Sequence, residues 1–254
     1  MSRRCHSLAA VLVVLAAALG GLASTAARGQ TLVADLSSHL VSVTAGFAGT
    51  DLLLFGSAAD EGDVIVVVRG PDSAVVVRRK MRSPVGIWVN RDEAVFSGVP
   101  SFYRIASSRP LDEFQAGRVL EIHQIGVSHL EFAAEAVMAE AEEDRFRQAL
   151  IRNKQRQGLF ADAAVPVTFL GERLFRARVA FPSNVPTGTY TVTVYLVRAG
   201  KVVSAQTIPL VVSKIGVGAR IYDFAYQQAA LYGLFAILIA LFAGWFGSAV
   251  FRKI

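Results

Sequence analysis

The sequence predicts a mainly β protein: an antiparallel, Ig-like sandwich-type exported region with a helical insertion, followed by one C-terminal transmembrane helix. Three observations support this prediction. Apolar segments lie near both ends of the 254-residue chain, short strand-like runs fill much of the region between them, and helical patterning begins at Ser108. Closely spaced strands without intervening helices are typical of antiparallel sandwiches and barrels.

The first 27 residues have the pattern of a secretory signal peptide. Arg3 and Arg4 form a positive n-region, an apolar run follows, and small residues allow cleavage after Ala26 or Ala27. The alternative is an uncleaved N-terminal anchor. We expect cleavage, which makes the rest of the body an exported region.

A second apolar segment, residues 229–251, contains 23 residues without a charge and is followed by Arg252 and Lys253. About 20 apolar residues are enough for a helix to cross the hydrocarbon core. Because flanking cations favour the cytoplasmic side, the sequence predicts a single pass through a membrane. Residues 252–254 would be cytoplasmic, the body exported, and residues 214–228 a juxtamembrane linker.

The charge distribution argues against nucleic acid as a partner. The formal net charge is +6, but four of the 26 Lys and Arg residues flank the two apolar segments. Removing them leaves 22 cations against 20 Asp and Glu, so the exported body has a net charge of about +2 and no basic footprint. The single cysteine, Cys5, lies in the signal segment, so the mature chain has no disulfide and no thiol ligand.

Two regions of the body are predicted to be β-rich. In residues 28–107 the clearest feature is two Val-rich runs around residues 70–73, which predict a hairpin. Residues 158–213 alternate well and turn at residues 186–188 and 199–200; they form either a second lobe or a continuation of the same sheet. Pro209 predicts an edge strand or a bulge in the last run.

Residues 108–157 are predicted to be helical. Ser108 is a candidate cap, and two short helices are expected before a longer one from about His129 to Gln157. That helix is acidic in its first half and basic in its second, as the helix dipole favours. We interpret its charges as a solvated face.

Four segments carry a family resemblance: "FAGTDLLLFG", "VGIWVN", "LFRARVAFPSNVPTGTYTVTVYL" and "LYGLFAILIALFAGWFGSAVFRK". In this order they resemble the alphaproteobacterial putative transmembrane protein family. The resemblance implies a signal, a β-rich exported part and one C-terminal span. Members tend to be encoded beside sulfite-exporter-type permeases, which implies a transport accessory role, and the family offers no catalytic residues.

Three histidines and an acidic turn are candidate metal ligands. His123 and His129, with Glu121 and Glu131 nearby, could bind a metal, but their six-residue spacing does not place both on one helix face. His39 is the third histidine of the predicted exported region. Residues 60–63, "DEGD", could bind calcium but lack the EF-hand layout. We therefore predict no metal site, no cofactor and no catalytic residue.

Two further sets of residues are candidates for contacts with partners. The basic cluster Arg78, Arg79, Lys80 and Arg82 could contact anionic lipid or an acidic partner, or could be a solvated loop. Small residues in the apolar segment form a ridge that could pack against another helix or face lipid. These small residues are Ala236, Ala240, Gly244 and Ser248.

These observations predict a non-enzymatic interaction module in contact with membrane lipid. The family resemblance implies that its partner is a polytopic sulfite-exporter-type permease, for which it would serve as an accessory subunit. The alternative is a membrane-tethered periplasmic binding module for a metal or a small anion. A periplasmic hydrolase is the least favoured class, because no triad or metal-site spacing is readable.

Overall fold

A computed structural model describes residues 31–84, 86–114, 117–161, 163–216 and 224–251 of the protein. The predicted signal peptide with Cys5, the predicted cytoplasmic tail with Arg252 and Lys253, and residues 217–223 of the predicted linker lie outside the described residues. The strands are β1 (Leu32–Leu36), β2 (Leu40–Val43), β3 (Gly49–Ala58), β4 (Asp63–Arg69), β5 (Asp72–Arg82), β6 (Trp88–Pro100), β7 (Tyr103–Ser107), β8 (Ala133–Ala134), β9 (Val165–Pro166), β10 (Thr168–Leu170), β11 (Leu174–Pro182), β12 (Gly188–Arg198) and β13 (Lys201–Lys214). The α-helices are α1 (Gly117–Ile122), α2 (Glu140–Arg156) and α3 (Ala229–Phe251), and short 3-10 helices cover Leu111–Glu113 and Val127–His129.

Two sheets form the sandwich. One has the strand order β1-β3-β11-β10, and the other has the order β2-β13-β12-β4-β7-β9. The first order corresponds to the ABED sheet of an immunoglobulin domain, and β13-β12-β4 corresponds to the GFC sheet. Most neighbours are antiparallel, while β2 runs parallel to β13 and β9 parallel to β7. The predicted mainly β, Ig-like sandwich is confirmed.

Strands from the two β regions of the sequence share both sheets. In the first sheet β11 pairs with β3 along its whole length, and in the second β12 pairs with β4. The buried side chains of both sheets belong to one hydrophobic core. Residues 158–213 therefore continue the sheets that residues 28–107 begin, and the two regions form one sandwich.

An aromatic cluster and a tyrosine corner fix one end of the core. The Phe102 and Phe181 rings stack with centroids 5.0 Å apart, and the Tyr190 ring lies 5.7 Å from Phe102. Tyr190, fully buried near the start of β12, donates its hydroxyl to the carbonyl oxygen of Pro186 at 2.6 Å. Immunoglobulin-type domains have this corner at the equivalent strand. Burial raises the pKa of Tyr190 to about 12.

The hairpin predicted around residues 70–73 is wrong, because β4 and β5 belong to different sheets. All the residues of β4 between its two ends are buried, and its two edges are already paired with β12 and β7. At Gly70 the chain turns away from this sheet, and β5 pairs instead with β6. The Val-rich runs were correctly predicted as strands, but not their partners.

The longer helix begins later than predicted. The sequence placed its start near His129, whereas α2 begins at Glu140. The preceding residues are extended: β8 pairs with β6, and the buried Phe132 ring packs edge-on against Phe96 at 5.6 Å. Burial of Phe132 against the sheet outweighs the helical tendency of its neighbours.

Pro209 lies where β13 has a neighbour on one side only. It is opposite Thr191 of β12, while the pairing with β2 begins at Val211. A proline lacks the N–H that a second neighbour would need, so this local edge accommodates it. The edge position predicted from Pro209 matches the structure.

Candidate anion-binding groove

Helix α2 packs against strand β5 through Arg79. The Arg79 guanidinium lies over the Phe146 ring at 5.6 Å from its centroid. Its Nε donates to Asp92 Oδ2 at 2.9 Å, and its Nη2 donates to Glu142 Oε1 at 3.2 Å. Hydrogen bonding to Asp92, followed by the two negative charges, raises the pKa of Arg79 against the opposing effect of burial. Arg79 therefore holds the hairpin and the helix together.

A groove of about 640 Å³ lies between β5 and α2. Six cationic side chains line it, and no acidic residue does. The apolar part of the lining consists of Val77, Phe146 and Ala149. The full lining is Val77, Arg78, Arg79, Lys80, Arg145, Phe146, Ala149, Arg152, Asn153 and Arg156.

Four of the six cations make no ion pair with any acidic residue that the structure describes. Arg78 pairs with Glu93 at 3.1 Å, and Arg79 is engaged as above. The other four are exposed and without such a partner; they are Lys80, Arg145, Arg152 and Arg156. The groove is therefore positively charged on a body whose cations and acids nearly balance.

The three helix cations share one face of α2. Arg145, Arg152 and Arg156 follow the spacing i, i+7, i+11, which returns to the same side of an α-helix. Eleven residues correspond to about 16 Å of helix axis. Ala149, on the same face, is small and leaves the groove open between the cations. The positive charge is therefore distributed along a line rather than at a point.

Sequence reasoning found only part of this site. Of the predicted basic cluster, Arg78, Arg79 and Lys80 line the groove, whereas Arg82 lies beyond it and donates its Nε to the carbonyl of Gly86 at 3.3 Å. The arginines of α2 were interpreted as a response to the helix dipole. Their spacing on one face was the signal that could have identified them.

The candidate metal ligands are not brought together. His123 packs on the Tyr195 ring at 5.0 Å, and His129 Nδ1 is 2.7 Å from the carbonyl oxygen of Ile125. His39 Nε2 is 3.0 Å from Asp35. Among the described residues, no group of three or more His, Cys, Asp or Glu side chains could hold a metal ion.

Two of the three carboxylates in the acidic turn at residues 60–63, those of Asp60 and Asp63, have arginine or hydroxyl partners. Asp60 pairs with Arg198 at 3.7 Å, and Asp63 pairs with Arg109 at 2.6 Å. The hydroxyl of Ser108 also donates to Asp63 at 3.1 Å. This turn joins neighbouring segments through ion pairs.

A second cleft, of about 660 Å³, lies beside Tyr103 on the other side of α2. The buried Tyr103 hydroxyl donates to the carbonyl of Gln124 at 2.6 Å and accepts from the N–H of Gly126 at 3.0 Å. Burial raises the pKa of Tyr103. With both hydrogen bonds made to the backbone, Tyr103 supports the loop before β8 and is not free to bind a ligand.

The small-residue ridge lies on α3, and its members are all exposed. These members are Ala236, Ala240, Gly244 and Ser248. Around Gly244, apart from its chain neighbours and the adjacent backbone of α3, no described atom comes within 4 Å of the position that a Cβ would take. Within the described residues the ridge is therefore open to lipid or to another helix.

Helix α3 is, among the described residues, the one helix long and apolar enough to cross a membrane. Its window Ala229–Ser248 has a mean hydropathy of 2.1, and none of it is buried. The helix thus agrees with the predicted span in position and length.

Comparisons with known proteins identify a family but no close relative. No curated protein matches the chain. A solved chain from "Structural basis of T cell specificity and activation by the bacterial superantigen toxic shock syndrome toxin-1" is similar over 72% of this chain and 99% of that chain, at 9% identity and a TM-score of 0.27. A TM-score that low supports neither a shared fold nor a shared function.

The family described as "Putative transmembrane protein (Alph_Pro_TM)" matches residues 31–253. The match covers the sandwich, the insertion and the apolar helix. The four sequence segments that carried the resemblance all lie within it. The chain therefore belongs to this transmembrane protein family, with a β-rich region and one candidate span.

Proposed function

We propose that the protein is a membrane-anchored, non-enzymatic interaction module whose basic groove binds an acidic segment of a partner protein. The observation that carries this proposal is a groove with no acidic lining residue, along which four cations have no ion-pair partner among the described residues. Guanidinium groups bind carboxylates through charge-assisted, often bidentate hydrogen bonds. A carboxylate-rich segment is the complementary ligand.

The length of the groove favours an extended ligand over a single small anion. Arg145 and Arg156 are about 16 Å apart along the helix axis, so an anion with one centre would leave at least one of them unpaired. An extended acidic segment places carboxylates at a spacing of about 3.3 Å per residue and can meet all of the cations. The small-anion alternative is retained as an outcome of the test, and a cation would be repelled.

The absence of catalysis is part of the proposal. It is supported by the contacts of the three described histidines. His123 contacts Tyr195, His129 contacts Ile125 and His39 contacts Asp35, and none of these partners lines the groove. The groove itself offers guanidinium and ammonium groups, an amide and apolar carbons. These groups bind anions but do not supply a general base at neutral pH.

The location of the body is also proposed. An N-terminal signal and a cytoplasmic tail with Arg252 and Lys253 would place the sandwich in the periplasm of a bacterial inner membrane. In that compartment nucleic acid is not a partner. Cysteine labelling with a membrane-impermeant reagent in intact cells, after introducing one cysteine at exposed Arg118, tests this topology; a label that requires cell lysis would contradict it.

The binding proposal is tested with the full chain in lipid nanodiscs and a fluorescently labelled octaglutamate peptide. We expect saturable binding that weakens about tenfold or more when Arg145, Arg152 and Arg156 are all changed to Gln, since each lost contact costs roughly 0.5–1 kcal/mol. The matched control changes Arg118, Arg173 and Arg178 to Gln. These residues are also exposed and make no ion pair with a described acidic residue.

Two results would contradict the proposal. Equal weakening in both triple variants would show that net charge alone attracts the peptide. Full displacement of the peptide by inorganic sulfate at low millimolar concentration, with a thermal shift on sulfate addition, would favour the small-anion alternative instead.

A polytopic permease of the sulfite-exporter type is our proposed partner, on the strength of the family resemblance alone. Mild solubilisation of native membranes followed by affinity capture of the tagged protein should recover such a permease. The groove triple variant should recover less of it than the control triple does. Repeated recovery of the protein alone would count against this partner.

A further inference from the structure

The hairpin formed by β5 and β6 ends in an exposed apolar tip, which we define as residues 80–84 and 86–91. In this tip Met81 is opposite Val89, and Arg82 is opposite Trp88. Since successive residues of a strand point to opposite faces, Met81 and Val89 share one face of the ribbon. Trp88 and Arg82 share the other.

Neither face of the tip is covered by described residues. Trp88 is 68% exposed and Ile87 is 61% exposed, and Met81 and Val89 are also exposed. Nearer the base of the same hairpin, by contrast, Val77 is buried. A two-stranded ribbon is marginally stable alone in water, and clustered exposed apolar side chains mark interaction surfaces. The tip therefore has the composition of a contact surface.

The charge of the tip identifies the contact further. It carries three cations, Lys80, Arg82 and Arg91, and no acidic residue. The first carboxylates of β6, Asp92 and Glu93, lie just beyond the tip and are held by arginines of β5. A tryptophan and aliphatic side chains flanked by unbalanced cations match the interface of a bilayer that carries anionic lipid.

We propose that the hairpin tip inserts into the headgroup region of an anionic bilayer. Ile87, Trp88, Met81 and Val89 would enter the interface, while the cations contact lipid phosphates. The bilayer is available because the same chain carries the apolar helix α3. The 14 residues between β13 and α3 span at most about 50 Å, which limits how far the sandwich can lie from the bilayer. This surface differs from the groove, with which it shares only Lys80.

The chain is well suited to a direct test, since it contains two tryptophans, Trp88 and Trp245. In the full-length Trp245→Phe variant, Trp88 is the only tryptophan. This variant is placed in nanodiscs of phosphatidylcholine and phosphatidylglycerol, with or without brominated lipid. We expect loss of Trp88 emission in the brominated discs, together with protection of Trp88 from acrylamide added to the water.

Further variants test whether the apolar side chains of the tip make the contact with lipid. Adding Ile87→Ser and Met81→Ser should reduce quenching by brominated lipid, and these exposed substitutions leave the groove cations in place. Trp88→Phe, with Trp245 retained in the span, calibrates quenching by the same lipid. The Arg145, Arg152 and Arg156 triple variant should leave the quenching of Trp88 unchanged.

The proposal would be overturned if Trp88 emission were not quenched by brominated lipid but were quenched by acrylamide. Trp88 protected from both quenchers, in discs that hold two copies of the chain, would overturn it in favour of a second copy as the occupant. Equal quenching in purely phosphatidylcholine discs would overturn the role of anionic lipid.

Discussion

The side-chain amide of Gln206 hydrogen-bonds to both backbone groups of Ala34, in the way that a neighbouring strand would. Its Oε1 accepts from the N–H of Ala34 at 2.8 Å, and its Nε2 donates to the carbonyl oxygen of Ala34 at 2.9 Å. Ala34 lies in β1 of one sheet and Gln206 in β13 of the other, so the pair joins the two sheets at their edge. We expect Gln206→Leu to lower the free energy of unfolding by about 1–3 kcal/mol, because two backbone groups of a buried residue lose their partners.

Chemical denaturation of the full chain in detergent measures this change. The control is Gln148→Leu, an exposed glutamine on α2, which should stay within about 0.5 kcal/mol of the unmodified protein. Equal stability of both variants would show that water replaces the amide at Ala34.

The tyrosine corner makes a second prediction. Tyr190→Phe keeps the ring in the aromatic cluster but removes the donor to the Pro186 carbonyl. The loss of this hydrogen bond should cost about 1–2 kcal/mol of unfolding free energy. Tyr232→Phe, at an exposed position of α3, is the matched control, and an equally small effect of both changes would contradict a structural role for the corner.

The same tyrosine predicts a loss of stability in alkali. Burial raises the pKa of Tyr190 from 10.0 to about 12, so the folded state holds the phenol proton more tightly than the unfolded chain does. The stabilisation is complete below pH 10 and is lost as the pH rises to about 12. Denaturation curves across this window should show falling stability. The fall should be shallower in Tyr190→Phe; an unchanged slope would assign the effect to other groups.

We expect Arg79 to protect the β5–β6 hairpin against local unfolding. Arg79→Ala removes the contact with the Phe146 ring and the hydrogen bond to Glu142, which hold β5 on α2. It also removes the hydrogen bond to Asp92 of β6 within the hairpin. Amide hydrogen exchange in β5 and β6 should become faster, and octaglutamate binding should weaken. Arg78→Ala is the matched control, because Arg78 pairs with Glu93 within the hairpin; equal acceleration by both changes would contradict a special role for Arg79.

Individual strands could be predicted from the sequence because the pattern of apolar residues in each strand matches the pattern of buried residues. In β11 the residues alternate between exposed and buried almost without exception, and the apolar run of β4 is buried throughout its middle. Strand partners could not be predicted in the same way. The sequence around Gly70 is compatible with a hairpin turn and also with a corner at which the chain passes to another sheet. The pairing of β4 with β12 and β7 on its two edges shows that it is a corner.

The groove was beyond sequence reasoning for a related reason. Lys80 and Arg145 come from distant segments of the sequence, which are joined in the fold by the contacts of Arg79 with the Phe146 ring and Glu142. Each basic segment alone has an adequate explanation as a solvated surface. Their shared lack of acidic partners becomes visible only when the ion pairs of the described residues are known.

The interleaving of early and late strands has a consequence for how the newly made chain folds. Strands β3 and β4 find their neighbours β11 and β12 only after the whole helical insertion has been synthesised, and 172 residues separate Ala34 from Gln206. Non-local pairing of this kind slows folding and leaves unpaired strand edges exposed meanwhile. The sandwich can therefore close only when β11 and β12 are also present, and until then the edge of β4 that β12 covers in the folded protein is exposed and able to pair with other chains.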